Sequence, residues 1–327
     1  MLFRSSADEV SKVLAFAGRE GIPIVPRGAG TSLSGGALPR ADGILLGLSR
    51  MNKILDVDFE NRCVVVQPGV TNLSVTKRVE THGFYYAPDP SSQIACTIGG
   101  NVAENSGGIH CLKYGLTTNN LLGVELALTD GSRIRLGGKH HDAGGLDLLG
   151  IVAGSEGLLG VMTEATLRIL PRPPVTRTLM LAFADPAAAA ATVGTIIAEG
   201  IIPAALEFMD QRCIRAVEDY CAPGYPADAA AILICEVDGM DAEARDAAAR
   251  VAAIAMDQGA VATRECANED ERARVWSGRK AAFPAMGKLQ PDMLCMDGTI
   301  PRRTLPDVLS KMTAMAERYG QIGRAHV

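Results

Sequence analysis

The spacing of apolar residues divides the chain into two parts. Before residue 171, short apolar runs typical of β-strands are bounded by Gly, Asn or Pro. After residue 174, longer runs with helical spacing alternate with strand-like runs. The cluster Pro171-Arg-Pro-Pro174 lies between them and is the best candidate for a boundary. We therefore predict a first domain over residues 1–174 and a second over residues 175–320.

In the first part, Ser6-Ala-Asp-Glu9 has the pattern of a capping box and predicts a helix that continues to Gly18. A second helix is predicted over Asn72–His82, closed by Gly83. The predicted strands are Ile22–Val25, Gly43–Leu48, Ile54–Asp58, Cys63–Gln67, Leu122–Leu128, Ser132–Leu136 and Val161–Leu170. The strands on either side of Thr129-Asp-Gly131 are expected to form a hairpin.

The second part alternates regularly between the two kinds of run. The predicted strands are Thr178–Phe183, Ala205–Met209, Ala231–Val237, Ala260–Arg264 and Met293–Met296. The predicted helices are Pro186–Glu199, Gln211–Tyr220, Asp241–Gln258, Glu269–Ala282 and Leu305–Tyr319. This alternation predicts an α+β domain in which helices cover one face of a sheet.

Composition excludes several classes of function. The net charge is −5, aromatic residues make up 4% of the chain, and the sequence contains no long basic run, which argues against nucleic-acid binding. No apolar stretch is long enough to cross a membrane, and the N-terminus turns polar too early for a signal peptide. The eight cysteines form no C-x-x-C motif, so we expect buried free thiols in a reducing compartment rather than a zinc site.

The first segment with candidate chemistry is Val25–Gly36, VPRGAGTSLSGG. A nicotinamide-binding G-x-G-x-x-G motif would need a third glycine at Leu33 and a helix after the loop, and this sequence has neither. Successive backbone N–H groups can still form an anion-binding nest, supported by hydroxyls and by Arg27. A plain glycine-rich turn is the alternative.

Two further segments favour the ligand-binding interpretation. Small residues in Pro88–Gly108 would let a flat ring lie against the main chain, with Asn101, Asn105 and Ser106 at its polar edge. The third segment, Gly154–Gly160, leads into a predicted strand. Three separated glycine-rich segments predict a long ligand that is held at several points.

Six stretches together resemble the FAD-linked 2-hydroxy-acid dehydrogenase family. They are PRGAGTSLSGGALP, APDPSSQIACTIGGNVAENSGGIHCLKYGLT, GSEGLLGVMTE, GIIPAALEFMD, WSGRKAAFPA and CMDGTIPRR. The resemblance extends to about residue 320 and implies a two-domain α+β protein. A p-cresol methylhydroxylase-type FAD-binding domain, the fold of vanillyl-alcohol oxidase, would precede an incomplete α+β substrate (cap) domain.

The resemblance also implies how FAD is held. The pyrophosphate would lie against Arg27, Gly28, Ala29, Gly30, Thr31, Ser32, Gly35 and Gly36. The dinucleotide and its ring would be lined by Pro90, Ser91, Thr97, Gly99, Gly100, Asn101, Ser106 and Gly107, and the adenine side by Glu156, Gly157, Gly160 and Val161. Relatives with covalent flavin have a histidine in the first segment. This chain has Thr31 and Ser32 there, so we expect non-covalent FAD.

The implied reaction is hydride transfer to flavin from a small 2-hydroxy acid, glycolate or D-lactate. Arg279 is expected to hold the substrate carboxylate, and the alternative is a solvated charge on a helix. Lys280 is expected at the surface. Packing is the expected role of His110, His140-His141 are expected in an exposed loop, and Asp297 is expected to be structural.

The sequence departs from the family pattern in its second part. A His-Ala-Gly-Asp-Gly-Asn-x-His-Pro motif and a later Glu-His pair, which by resemblance supply a divalent metal site and the catalytic base, do not occur. The family's upstream helical segment and strand are also absent. The last seven residues, QIGRAHV, match the translation of a common sequencing adapter, so we expect 321–327 to be a non-native tail.

We therefore expect an incomplete and inactive fragment, truncated at both ends, that aggregates or retains flavin poorly. The full-length protein is expected to be the catalytic subunit of a glycolate oxidase-like complex with FAD-binding and iron–sulfur partner subunits. It would be cytoplasmic, or membrane-associated through those partners. The alternative is a non-catalytic FAD-binding subunit of an electron-transfer complex.

Overall fold

The computed structural model describes residues 2–3, 5–140, 144–290, 292–296 and 298–320. It divides into two compact units, Met1–Arg172 and Pro173–Val327, and the division falls inside the proline cluster. His141, Asp297 and the tail 321–327 lie outside the described residues. Across the described ranges, no helix is long and apolar enough to span a bilayer.

In its described residues, the first unit contains three sheets and mostly short helices. Its strands are β1 (Leu2–Phe3), β2 (Ile24–Arg27), β3 (Ile44–Gly47), β4 (Ile54–Asp58), β5 (Cys63–Val66), β6 (Phe84–Tyr85), β7 (Leu121–Ala127), β8 (Arg133–Gly137), β9 (Val161–Arg168) and β10 (Leu170–Pro171). Its helices are α1 (Ala7–Glu20), α2 (Asn72–Val79), α3 (Ile98–Ala103), α4 (Cys111–Tyr114), α5 (Thr117–Asn120) and α6 (Leu148–Val152), and a 3₁₀ turn covers Glu80–His82. The strand orders are β1-β3-β2, β10-β6 and β4-β5-β9-β7-β8.

Helix α1 begins where the capping pattern predicts but ends two residues later than expected. The Ser6 hydroxyl accepts a hydrogen bond from the Glu9 backbone N–H. The Glu9 carboxylate accepts from the backbone N–H and hydroxyl of Ser5, one residue before the cap. Gly21, with φ +65°, closes the helix in the left-handed conformation.

The predicted hairpin is confirmed. β7 and β8 pair antiparallel, and Gly131 adopts φ +84° at the turn, a conformation that glycine reaches without strain. Every residue of β7 is buried, because the strand lies between β9 and β8 in its sheet and helices α1 and α6 contact it. This strand supplies Leu121, Val124 and Leu126 to the apolar core of the unit.

The second unit is built on one antiparallel sheet. Its strands are β11 (Val175–Phe183), β12 (Ala205–Asp210), β13 (Ala231–Gly239) and β14 (Ala260–Glu265), in the order β12-β13-β11-β14. Its helices are α7 (Pro186–Ala198), α8 (Gln211–Cys221), α9 (Asp241–Asp257), α10 (Glu269–Lys280), α11 (Ala282–Leu289) and α12 (Leu305–Arg318), and a 3₁₀ turn covers Arg302–Thr304. The helix predicted over Glu269–Ala282 corresponds to α10, and α11 follows it as a helix that the sequence pattern does not predict.

Helices cover both faces of this sheet, so the prediction of a one-sided layer is wrong. Leu181 and Leu233 lie in a core cluster with residues of α7, α9 and α12. The opposite face includes the fully buried Ile234 and Glu236, and Glu236 bonds to side chains of α10. The first seven residues of β13 are all buried, with no alternation of buried and exposed positions. A strand that is covered on both faces has this pattern.

The predicted strand Met293–Met296 is also wrong. These residues have no regular secondary structure and pair with no described strand. Their side chains are exposed, so no burial compensates for ordering an extended segment there.

Candidate functional site

The first glycine-rich segment leaves β2 at Arg27 and reaches β3 without forming a helix. Gly30 adopts φ +73°, and a Cβ atom added there would lie 2.6 Å from Nη2 of Arg27. The guanidinium therefore packs directly against the loop backbone. Among the described residues, nothing forms a hydrogen bond or an ion pair with the Arg27 side chain, so its charge is available to an anion.

The second segment meets the first at Thr97, the residue before α3. A Cβ atom added to Gly28 would lie 2.2 Å from Thr97 Oγ1, so only glycine permits this approach. Thr97 is 5% exposed, and its Oγ1 has no hydrogen-bond partner within the described part of the chain. An unpaired buried hydroxyl is costly, and a polar ligand atom would satisfy it.

The third segment closes the arrangement from another side. Gly157, with φ +78°, lies where a Cβ atom would be 2.9 Å from Cγ of Pro26. Two backbone bonds, from the N–H groups of Gly154 and Glu156 to the carbonyls of Val102 and Ala103, join this segment to α3 at 2.8 Å each. The three segments singled out in the sequence therefore converge on one place, called here the glycine cradle.

The predicted cofactor residues occupy different environments. Ala29, Gly30, Thr31, Gly36, Ser91 and Glu156 are exposed, whereas Thr97, Asn101 and Val161 are buried. Half-buried positions are Arg27, Gly28, Ser32, Gly35, Pro90, Gly99, Gly100, Ser106, Gly107, Gly157 and Gly160. Their roles toward a cofactor stay predictions.

The two asparagines predicted at the polar edge of a ring have partners within the protein. Asn72 Nδ2 donates to Asn101 Oδ1 at 3.0 Å, and Asn101 Nδ2 donates to Cys96 Sγ at 3.4 Å. Asn105 Oδ1 accepts from the backbone N–H of Thr118 at 2.9 Å. These amides therefore hold the cradle backbone in shape.

Large apolar side chains lie exposed around the cradle. Leu33 and Leu38 of the first segment and its continuation are 71% and 67% exposed, and Leu158 of the third segment is 85% exposed. Side chains of this size in water cost hydrophobic free energy unless something covers them. A flat aromatic ligand in the cradle has the chemistry to do so.

His110 follows the second Gly-Gly pair and forms a close pair with Asp89. Its Nδ1 lies 2.9 Å from Asp89 Oδ2, and its backbone N–H donates to Asp89 Oδ1 at 3.3 Å. The pair ties Pro88–Pro90 to the start of α4. The contact is polar, and the packing role expected for His110 stays a prediction.

In the second unit, Arg279 lies on the face of α10 that packs on the sheet. Its Nε donates to Oε2 of Glu207 at 2.5 Å, and the two side chains are 15% and 10% exposed. The alternative of a solvated surface charge is therefore wrong. Lys280, the next residue, is exposed as predicted.

A second buried charge pair, not predicted from the sequence, anchors the same helix. Glu236 is 2% exposed and accepts from Thr178 Oγ1 at 2.8 Å and Trp276 Nε1 at 2.6 Å. Arg272 donates to both Glu236 oxygens, from Nε at 2.8 Å and Nη2 at 2.9 Å. Burial disfavours the Arg272 cation, but the bonds and attraction of Glu236 outweigh it and raise the pKa of Arg272. The signal in the sequence was a glutamate inside an apolar strand.

No metal-binding cluster occurs among the described residues, taking groups of three or more His, Cys, Asp or Glu side chains.

Comparison with known proteins follows the division into two units. Residues 2–137 match the FAD binding domain, and residues 172–327 match the C-terminal domain of FAD linked oxidases. By fold, the chain superposes on a solved alkyldihydroxyacetonephosphate synthase with a TM-score of 0.78 at 19% identity, covering 100% of this chain and 67% of that one.

Three curated relatives define the family more closely. The chain is 52% identical to glycolate oxidase subunit GlcD of Escherichia coli K12 over 95% of its own length and 62% of the relative. It is 40% identical to GlcD of Bacillus subtilis, with coverages of 96% and 67%, and 33% identical to a D-lactate dehydrogenase of Archaeoglobus fulgidus, with coverages of 97% and 70%. The chain thus spans 62% of the length of the E. coli relative. Both of its halves match, and it belongs to the FAD-linked oxidase family.

Proposed function

We propose that the chain binds FAD in the glycine cradle and forms part of an enzyme that oxidises a small 2-hydroxy acid, glycolate or D-lactate, to the 2-oxo acid. The observation that carries this proposal is the convergence of three glycine-rich segments on an unpaired guanidinium and an unpaired buried hydroxyl. The names of the relatives, glycolate oxidase subunit and D-lactate dehydrogenase, support the substrate class.

The cradle residues fit a dinucleotide. Arg27 supplies positive charge, and the loop Gly28–Ser32 supplies backbone N–H groups for the pyrophosphate. Thr97 Oγ1 gains a partner, and the exposed leucines gain apolar cover. Bound FAD supplies the hydride acceptor that this chemistry needs.

Arg279 is proposed to bind the carboxylate of the substrate. Its Nε is occupied by Glu207, and no described residue bonds its Nη1 and Nη2. Two parallel N–H groups match the geometry of a carboxylate. This feature favours a catalytic subunit over a non-catalytic FAD-binding subunit. The base that removes the hydroxyl proton is proposed to lie in a part of the enzyme outside this chain.

The test is anaerobic reduction of the full-length gene product loaded with FAD. Glycolate or D-lactate is expected to bleach the flavin absorbance. L-lactate, the enantiomer of D-lactate, is the control and is not expected to bleach it. If the protein holds stoichiometric FAD and neither glycolate nor D-lactate reduces it, the proposed oxidation is rejected and a non-catalytic FAD-binding subunit is favoured.

A separate prediction concerns how the flavin is attached. Thr31 and Ser32 occupy the segment in which covalent relatives have histidine, so acid precipitation of the loaded protein is expected to leave the flavin in the supernatant. Flavin that remains with the precipitate through washing would show a covalent bond and contradict the prediction.

The proposal extends to the assembly. The two glycolate oxidase relatives are named as subunits, which supports partner subunits for this chain as well. We propose that its partners are an FAD-binding subunit and an iron–sulfur subunit. We also propose that the protein lies in the cytoplasm and can associate with the membrane through these partner subunits.

A further inference from the structure

Helix α10 presents three long side chains to one face of the sheet in the second unit. Arg272, Trp276 and Arg279 are spaced four and three residues apart, so they share one side of the helix. All three bond to carboxylates of the sheet: Arg272 and Trp276 to Glu236, and Arg279 to Glu207. The helix is therefore fixed to the sheet at two points.

The strand register explains why both glutamates face α10. Glu207 of β12 lies opposite Ile234 of β13, and Glu236 of β13 lies opposite Ala205 of β12. Residues opposite each other share a face, as do residues two apart on one strand. Both carboxylates therefore lie on the same face of the sheet.

The two arginines differ in how far their donors are used. Arg272 donates through Nε and Nη2 to Glu236 and through Nη1 to Glu269, so each of its three guanidinium nitrogens is engaged. Arg279 donates only through Nε, to Glu207, and its two Nη groups bond to no described residue. Neither Nη atom is among the fully buried unpaired atoms of the described residues, so both reach solvent and are accessible to a ligand.

The choice of Nε has a geometric consequence. A guanidinium is planar and offers its donors along fixed edges. When a carboxylate takes Nε, the edge formed by Nη1 and Nη2 remains as a fork that matches a second carboxylate.

We propose that Glu207 is a positioning residue: it holds Arg279 through Nε so that the Nη1–Nη2 edge is presented to the carboxylate of the ligand. This inference rests on the proposed function, because it takes the substrate to be a carboxylic acid. It assigns Glu207 a role through geometry, not through its charge.

Two variants separate these effects. Glu207→Gln keeps the chain length and an oxygen that accepts from Nε but removes the charge. Glu207→Asp keeps the charge but withdraws the oxygen by one methylene. The probe is oxamate, a 2-oxo carboxylate analogue with no α-hydrogen to transfer, titrated into the FAD-loaded full chain by calorimetry. Arg279→Ala defines the loss of the fork.

Glu207→Asp is expected to weaken oxamate binding by about tenfold, and Glu207→Gln by less than about threefold, because a misplaced fork loses its second bond. The Nε–H resonance of Arg279 in NMR spectra of ligand-free protein gives an independent readout. It is expected to be protected from exchange in the wild type and in Glu207→Gln and to lose protection in Glu207→Asp.

Arg272→Lys is the matched control, since it loosens α10 at the other anchor without touching Arg279. It is expected to lower the melting temperature and to leave oxamate affinity unchanged. An equal loss of affinity in this control would reduce Glu207 to a general anchor of the helix and overturn the proposal.

The remaining outcomes decide between this inference and the proposed function. If Arg279→Ala abolishes binding but Glu207→Asp does not weaken it, or if Glu207→Gln alone alters it, the positioning role is overturned and the carboxylate site stands. If the wild type binds no oxamate, or Arg279→Ala binds it normally, the fork itself is rejected, and with it the carboxylate clamp of the proposed function.

Discussion

Gly28→Ala is expected to lower the affinity of the chain for FAD by about 5- to 150-fold, the range that about 1–3 kcal/mol of overpacking produces. The new Cβ atom would lie 2.2 Å from Thr97 Oγ1, far inside the distance at which atoms can coexist. Thr97 is buried, so either its side chain must turn within the core or the first segment must lift away from α3. Flavin fluorescence during FAD titration of the apoprotein measures the change.

A second substitution distinguishes the effect of the steric clash from the effect of losing the Thr97 hydroxyl group. Combining Gly28→Ala with Thr97→Ala removes the clashing oxygen, so the melting temperature is expected to recover. FAD affinity is expected to remain about fivefold below wild type, because the cradle has lost a hydroxyl hydrogen bond. Gly144→Ala is the control, since a Cβ atom there meets nothing within 4 Å. Wild-type affinity in Gly28→Ala would show that FAD does not depend on this approach of the backbone.

Arg272→Met is expected to lower the free energy of unfolding of the second unit by about 3–5 kcal/mol, the cost of leaving a buried carboxylate without its cation. Glu236 is 2% exposed and would keep the Thr178 and Trp276 donors, which carry no charge. The chain has one tryptophan, Trp276, which bonds to Glu236 itself. Its fluorescence during urea denaturation therefore reports on the affected site.

The matched control lies on the same helix. Arg274 is exposed, so Arg274→Met is expected to change the free energy of unfolding by no more than about 0.5 kcal/mol. Adding Glu236→Gln to Arg272→Met is expected to recover part of the loss, because a neutral amide is less costly to bury unpaired. Equal stabilities of Arg272→Met and Arg274→Met would show that the buried pair contributes no net stability.

Local patterns predicted most of the elements. β4 matches its predicted bounds, and other strands differ by one to three residues, since apolar runs and turn residues mark them directly. The strand predicted over Met293–Met296 is wrong because an apolar composition does not reveal whether a partner strand exists. The second layer of helices could not be placed from the sequence for a related reason. The buried run in β13 indicates that both faces of the strand are covered, but it does not show which helices cover each face.

The cradle and the arginines show a different limit. Glycine density located the three segments, but not the contact of Gly28 with Thr97, which depends on the folded sheet. On α10 the sequence shows Arg272 and Arg279 as similar charges in a polar helix. Only tertiary packing reveals that one is saturated by Glu236 and Glu269 and that the other keeps two donor groups unused.

The backbone bonds from Gly154 and Glu156 to α3 bear on how the first unit folds. They join segments that are distant along the chain, and contacts of that kind form late because a long loop must close first. The glycine cradle is thus expected to be completed only when the whole unit has assembled. Retention of flavin then serves as a visible measure of correct folding. During purification, yellow colour would distinguish fractions that contain native protein from fractions in which the first unit has not assembled.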